Sequence, residues 1–531
     1  MLSKIDSFHA GAIQNHLPQW RMITQKLETL ETASGMKMEF SAPLGHHLAS
    51  KKTFSDVDQR FIQQEIRNLL KRGVIVQSNH EIGEFISPIF LVPKDENEFR
   101  MILNLRQLNE AMPYIHFKMD SFDQVIKLIR PGYFLCKIDI KEAYYSVPIH
   151  SSYQKYLKFE FQSVLYQFTC LPNGLCSGPR KFTKLLKPVL ATLRTQGYIV
   201  SAFIDDIIIM DSSFDACIEA TIATIKLLDA LGFVINVKKS AFIPEKCIQY
   251  LGFIINTETM LITLPLSRRE KIVDISNKLL TLSHITIREV ASLVGLLVST
   301  FPTVTFGPLY YRALERDKII ALKIAQGDFD QLMYLSDAAI ADIHWWIDNI
   351  NSSFNKITIS NPDAVITTDA SSLGWGAIFK DQSTRGIWNL SEQGCHINVL
   401  ELKAILFGLS SLIHVQNIHI KILTDNMNAV HSISNMGSCR SSACNDVVRR
   451  IWLWAIRNNN WLSISHISGI QNDAADAESR QHDLTTEWQL NPSSFKFLVR
   501  KLKCSVDIDL FAKLSNETIC FLLARSGGFR S

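Results

Sequence analysis

The sequence predicts an α+β chain made of several domains, and three observations carry that expectation. Its 531 residues exceed what one hydrophobic core holds and imply three or four folding units. Apolar, β-prone runs alternate with runs at helical period through the first two thirds. Near Asn361-Pro362 the pattern becomes strand-rich, then helix, then strand, the profile of a separate α/β domain. Hydrophobic residues make up 47% and charged residues 20%, which excludes a disordered chain. A net charge of +4 is compatible with a local basic cleft but gives no argument for one.

Residues 1–50 carry no usable motif and are expected to be an N-terminal extension. Ser55 then has capping spacing with Asp58, and Phe61, Ile62, Ile66, Leu69 and Leu70 follow at helical period, with Gly73 as the stop. Strands are expected at Ile89 to Val92 and Met101 to Leu103, and a helix at Phe122 to Ile129, closed by Pro131-Gly132. Residues 133–140 and 199–210 are the most apolar strand candidates. Helical runs fit Phe182 to Leu193 and Ala216 to Leu231, and helices dominate from Arg268 to Asn351. The uncharged stretch Val290 to Tyr311 is broken by Pro302 and Pro308, so a buried helix and loop are expected there and no membrane span. Ten cysteines lack any C-x-x-C pair and are expected as reduced thiols, mostly in the core.

The sharpest feature is Phe203-Ile204-Asp205-Asp206, two adjacent acids between β-prone apolar runs. A hairpin turn fits, because Asp tolerates turn geometry. A solvated turn carrying two acids is the alternative for the dipeptide alone. Asp139 ends another apolar strand, Tyr133 to Asp139. If those strands are neighbours, three carboxylates converge, and hard oxygen ligands of this kind suit Mg²⁺.

These segments resemble reverse transcriptases over most of residues 85 to 265. The F-x-D-D box at 203–206 matches the family signature, and Asp139-Ile140-Lys141-Glu142-Ala143-Tyr144-Tyr145 is similar to its first catalytic-aspartate motif. The resemblance implies Asp139, Asp205 and Asp206 as ligands of two Mg²⁺ ions, with Mn²⁺ as substitute. It makes Tyr144 the gate that rejects a ribose 2′-hydroxyl; an ordinary core Tyr is the alternative. In the segment 92–109, Lys94 and Arg100 would meet the nucleotide triphosphate. Asn173, in Leu171-Pro172-Asn173-Gly174, would contact the nucleotide, although relatives often have Gln there. In Gly232 to Ser240, Lys239 would protonate the leaving pyrophosphate, and Leu251 and Gly252 fall in the primer grip.

A second constellation follows. Asp369 ends one strand, Glu401 lies within a helix, where a solvated face residue is the alternative, Asp425 ends another strand, where a part in the following helix cap is the alternative, and Asp476 sits in Asn472-Asp473-Ala474-Ala475-Asp476. This order resembles ribonuclease H over residues 362 to 482, which implies a second site for two Mg²⁺ ions at these four acids. His466 would be the histidine that helps product leave, with a structural histidine as the alternative; Asp473 is expected on the surface. The two resemblances together imply a right-hand polymerase (fingers and palm at 51–265, a helical thumb or connection at 266–360) followed by an α/β ribonuclease H-like domain at 361–482. The tail, 483–531, holds a basic run (Lys496, Arg500, Lys501, Lys503) that is better read as a solvated helix face.

The segment Val506 to Ala512 resembles the one that follows ribonuclease H in DIRS-like retrotransposons, with a Ty3-like element as the second reading. No D-[ST]-G protease signature or zinc-bearing integrase is visible, so a separate recombinase or nucleic-acid-binding protein is an expected partner. The other expected partners are an RNA template, DNA primer, RNA–DNA hybrid and deoxynucleoside triphosphates, in an intracellular setting, cytoplasmic or nuclear. The competing reading is a retroelement remnant that binds nucleic acid without catalysis; the presence of all seven acids weighs against it.

Overall fold

The structure, a computed structural model, describes residues 8–42, 44–45, 47, 53–95, 98–282, 284–357, 361–438, 440–480 and 500–501, without the side chains of 93–98. The tail segment Val506 to Ala512, with Lys496 and Lys503, lies outside the described residues. The chain divides into two compact units, residues 1–359 and 360–531.

In the first unit, two short helices come early, α1 (Leu17–Ile23) and α2 (Leu27–Gly35). Trp20 on α1 is fully buried and its indole N–H donates to the carbonyl of Leu231 at 3.1 Å. The expected helix follows as α3 (Asp56–Lys71), with the Ser55 hydroxyl accepting from the Asp58 amide. Strand β1 (Ile75–Gln77) precedes the hairpin of β2 (Ile89–Asp95) and β3 (Glu98–Leu103). Helix α4 (Arg106–Glu110) leads on to α5 (Phe122–Leu128), where Ser121 and Gln124 form a reciprocal capping box. Strand β4 (Phe134–Asp139), the one-turn helix α6 (Ser151–Gln154) and the hairpin β5 (Lys158–Phe161) and β6 (Val164–Phe168) come next.

Helix α7 (Gly178–Thr195) begins four residues before the predicted run, because Pro179 suits a helix's first turn while Arg180 and Lys181 hide its apolar period. The hairpin β7 (Ile199–Phe203) and β8 (Asp206–Asp211) leads into α8 (Phe214–Ala230) and β9 (Ala241–Glu245). These strands form an antiparallel sheet in the order β7-β8-β4-β9. A second hairpin, β10 (Cys247–Tyr250) and β11 (Phe253–Asn256), continues into β12 (Leu261–Thr263). The helical stretch holds α9 (Leu266–Thr281), the short β13 (Ile285–Thr286), α10 (Ile287–Val298), α11 (Arg312–Ile324), β14 (Leu332–Met333) and α12 (Asp337–Asn349). It ends in β15 (Asn355–Lys356), which pairs with β12. The apolar stretch after Val290 is the expected buried helix and loop; no helix among the described residues is long and apolar enough to cross a membrane. Cys136, Cys170, Cys217 and Cys444 are buried free thiols, while Cys176 and Cys247 are exposed.

The second unit opens with β16 (Ala364–Ala370), β17 (Gly374–Phe379) and β18 (Gln382–Ile387). Then come α13 (Leu390–Gln393), α14 (Ile397–Leu412), β19 (His419–Thr424), α15 (Met427–Ser434), α16 (Ser442–Arg457), β20 (Trp461–His466) and α17 (Asp473–Arg480). The sheet order is β18-β17-β16-β19-β20, antiparallel through β16 and parallel from β16 to β20. Gly376 is where α17 crosses the sheet: a β-carbon there would stand 2.6 Å from Glu478 and 2.7 Å from the carbonyl of Ala475.

Candidate functional sites

The first group of acids is assembled by strand register. Phe203 and Asp206 close a two-residue turn at Ile204-Asp205, and Asp206 stands directly opposite Asp139 on β4. Ile204 takes the left-handed conformation (φ 56°), a strained choice for a β-branched residue at the tip of the hairpin. Asp139 is held from behind by the turn before β9. The Asn236 amide donates to the Asp139 carbonyl at 2.9 Å, the Asp139 amide donates to Ser240 Oγ at 3.0 Å, and that hydroxyl donates to the Asn236 carbonyl at 2.8 Å.

Burial pushes the Asp139 carboxyl above its usual range, against a side-chain hydrogen bond from Asn236, and Asp206 adds to the rise. Burial likewise raises Asp205, with Asp206 and Asp139 adding repulsion. Lys137 reaches Asp206 at 3.0 Å. Two raised carboxyls thus stand beside a third acid, with Lys137 and Lys239 as the nearby cations.

The other residues predicted for this site are placed as follows. Tyr144 is half-buried, its ring 5.6 Å edge-on to Phe182, and burial together with the Asp205 charge pushes its phenol up to about 12. Lys239 is exposed in the turn after Asn236, near enough to act on the charges of Asp139 and Asp205. Arg100 is exposed on β3, opposite Val92. Lys94 lies on β2, but its side chain is outside what is described. Asn173 is exposed in a loop tied down by Asn109, whose amide donates to the Gly174 carbonyl at 2.9 Å and whose Oδ1 accepts from the Cys176 amide. Leu251 and Gly252 form the tight turn of the β10–β11 hairpin, both at positive φ (48° and 80°). With Lys137, Asp206 and Lys239 they line a groove of about 540 Å³.

The second group is tighter. Asp369, Glu401 and Asp425 bring carboxylate oxygens within 4.8 Å of one another, and among the described residues no other group of three does so. Glu401 is 5% exposed, not on a solvated helix face; burial and the charges of Asp369 and Asp425 push it up to about 9. One of its oxygens, Oε2, is buried without a hydrogen-bond partner. Burial raises Asp369 as well, with Asp425 and Asp476 contributing. Ser479 and Asn472 each donate to Asp369, at 2.7 and 3.1 Å. Three crowded acids with an orphaned oxygen fit a divalent cation. Asp476 stands outside the group of three, its carboxylate held by Arg480 at 2.7 Å. His466 is exposed at the end of β20, paired in register with Thr424, the residue before Asp425. Asp473 is exposed, and Asn426 caps α15 by accepting from the Ala429 amide.

Asn236, Ser240, Asn472, Ser479 and Lys137 were not foreseen as parts of either site. Their partners lie far away in sequence, and the available signal was their place inside motifs already recognised for their acids.

Residues 92–255 match the family model described as reverse transcriptase (RNA-dependent DNA polymerase). The Pro-Pol polyprotein of simian foamy virus type 1 is 28% identical over 197 residues, 37% of this chain and 16% of that polyprotein. The enzymatic polyprotein of figwort mosaic virus (strain DxS) is 23% identical over 454 residues, 81% of this chain and 63% of that polyprotein. The chain thus spans less than two thirds of either relative's length. Among solved structures, the foamy viral protease-reverse transcriptase in complex with RNA/DNA hybrid aligns with a TM-score of 0.52 at 18% identity, over 85% of this chain and 60% of that one. The same viral protein in complex with dsDNA gives 0.50 at 16% identity, over 86% and 97%. The fold is therefore a polymerase part followed by a ribonuclease H-like part, as the sequence predicts.

Proposed function

Starting from the reverse transcriptase domain at residues 92–255, we propose that the chain is an RNA- and DNA-directed DNA polymerase with ribonuclease H activity, serving a retrotransposon. The observation that carries the polymerase reading is Asp139 paired opposite Asp206 at the mouth of the sheet, with Asp205 beside them. The three-acid group at Asp369, Glu401 and Asp425 supports the second activity. We take the element to be DIRS-like on the sequence of Val506 to Ala512 alone.

Asp139, Asp205 and Asp206 would hold Mg²⁺ in the first site, and Asp369, Glu401, Asp425 and Asp476 in the second, with Mn²⁺ as a substitute. Bound there, the ions supply positive charge for the transferred phosphate and a lowered pKa for the attacking hydroxyl or water. Tyr144 bars a ribose 2′-hydroxyl by occupying its space. Lys94 and Arg100 offset triphosphate charge, Asn173 touches the nucleotide, and Lys239 delivers a proton to the leaving pyrophosphate. Leu251 and Gly252 bear on the primer strand, and His466 helps cleaved RNA leave. The partners that follow are an RNA template, a DNA primer, their hybrid and deoxynucleotides.

The test is a labelled DNA primer on an RNA template with Mg²⁺ and deoxynucleotides, using wild type, Asp205→Asn and Asp425→Asn. Extension lost only in the first variant, and RNA cleavage only in the second, supports the reading. A folded wild-type chain that binds hybrid but neither extends nor cuts it overturns the reading.

A further inference from the structure

The β10–β11 hairpin touches the first group of acids on a side that the reading above leaves unused. Tyr250, the last residue of β10, is fully buried, and a buried phenol needs a partner. Its hydroxyl donates to the backbone carbonyl of Asp206 at 3.2 Å. Asp206 pairs with Phe203 across the turn, so this bond lands on a stem residue of the hairpin that carries Asp205. A Phe would fill the same space, so packing alone does not account for the hydroxyl.

The hairpin is anchored at its other end too. The carbonyl of Gly252 accepts from Arg268 at 3.2 Å, and Arg268 also donates to Ser299 Oγ at 2.7 Å and lies 5.4 Å over the Phe253 ring. Contacts thus run without a gap from Ser299 on one side to Asp206 on the other. The tip they hold is the strained one, with Ile204 in the left-handed region, and such a turn persists only when its surroundings fix it.

We propose that Tyr250 is a positioning residue of the first site: its hydroxyl fixes the hairpin bearing Asp205 and Asp206 and ties that hairpin to the Leu251-Gly252 turn. Its effect on rate rests on the polymerase reading; its effect on the hairpin does not. Displacement of a reacting group by an ångström is enough to slow chemistry without weakening binding.

The test compares wild type with Tyr250→Phe by two readouts. In hydrogen–deuterium exchange, the amides of residues 203–207 are expected to exchange about tenfold faster in the variant, while those of β16 to β20 are unchanged. In primer extension on an RNA template, kcat is expected to fall about tenfold, with KM for deoxynucleotide and affinity for primer–template within about twofold of wild type. Unchanged exchange at residues 203–207 overturns the proposal. So does a parallel loss of extension and RNA cleavage with a lowered Tm, the mark of general destabilisation. If the wild-type chain extends no primer but the exchange difference stands, the polymerase reading fails and the role of Tyr250 in holding the hairpin is supported.

Discussion

The hydroxyl of Ser479 donates to Oδ2 of Asp369 at 2.7 Å, joining a residue on α17 to one 110 positions earlier on β16. With Asn472 on Oδ1, both oxygens of this buried carboxylate are oriented. Ser479→Ala should free one of them to rotate. RNA cleavage is expected to fall about tenfold, the weight of one hydrogen bond to a charged group, with primer extension unchanged. Both activities measured on one preparation check this, and an equal fall in both would sink it.

Tyr144 packs edge-on against Phe182 beside Asp205. Tyr144→Ala should open the space where a 2′-hydroxyl would sit. Discrimination between deoxy- and ribonucleotides, measured as the ratio of kcat/KM values, is expected to drop by about tenfold or more. An unchanged ratio would return Tyr144 to the ordinary core.

Glu401 gives the second unit a pH dependence whose sign can be worked out. Its folded pKa, about 9, lies above the ordinary 4.5. Between those values the folded state keeps a proton that the unfolded chain releases, so stability is full below the lower value and declines as pH rises toward the upper one. With chelator present, the second unit should melt at a lower temperature at about pH 8.5 than at about pH 6. Excess Mg²⁺ or Glu401→Gln should flatten the slope. Thermal melts followed by a probe in residues 361–480 would settle the sign.

Lys158 and Glu84 form a fully buried ion pair at 2.9 Å. Burial alone would raise Glu84; hydrogen bonds from His80 and Lys158 more than reverse this and hold it below the usual range. Its contribution is therefore present at neutral pH and lost as pH falls through that lowered value. Lys158→Met leaves the buried Glu84 carboxylate with only His80 and the Glu81 amide as partners and should cost about 3 kcal/mol in urea unfolding, whereas Lys158→Met with Glu84→Leu should recover part of the loss.

Trp20 predicts that the first helices are part of the fold. Trp20→Ala empties a fully buried site and removes the bond to Leu231, for an expected loss of about 3–5 kcal/mol. A change near zero in the urea midpoint would mean that α1 merely rests on the surface.

What could be read from the sequence follows from the range of the forces involved. The Asp205-Asp206 hairpin was legible because two acids between Ile- and Val-rich strands leave few local alternatives, and α3 was legible through Ser55 and its apolar period. Helices α1 and α2 were not: at seven and nine residues they carry too little periodicity, and their partners are distant, Leu231 for Trp20 on α1 and Lys181 and Lys184 on α7 for Glu28 on α2. Strands β9 to β12 are three to five residues long, too short for an alternation to register. Glu401 was legible as an acid through the motif, but its burial was not, because only the packing of β16 and β17 against α14 removes it from water. The roles of Asn472 and Ser479 were hidden for the same reason.

The pairing of Leu261 and Ile262 with Lys356 and Asn355 brings the end of the helical stretch back beside the strand from which it leaves. The two crossings sit one strand spacing apart, about 4.8 Å. The whole stretch is thus a loop tied at its neck, like a bag closed by a drawstring. Arg268 on α9 is bonded to the carbonyl of Gly252, and α9, α10 and α12 share one buried core with β10 and β11, so a shift of the stretch would carry the β10–β11 turn with it.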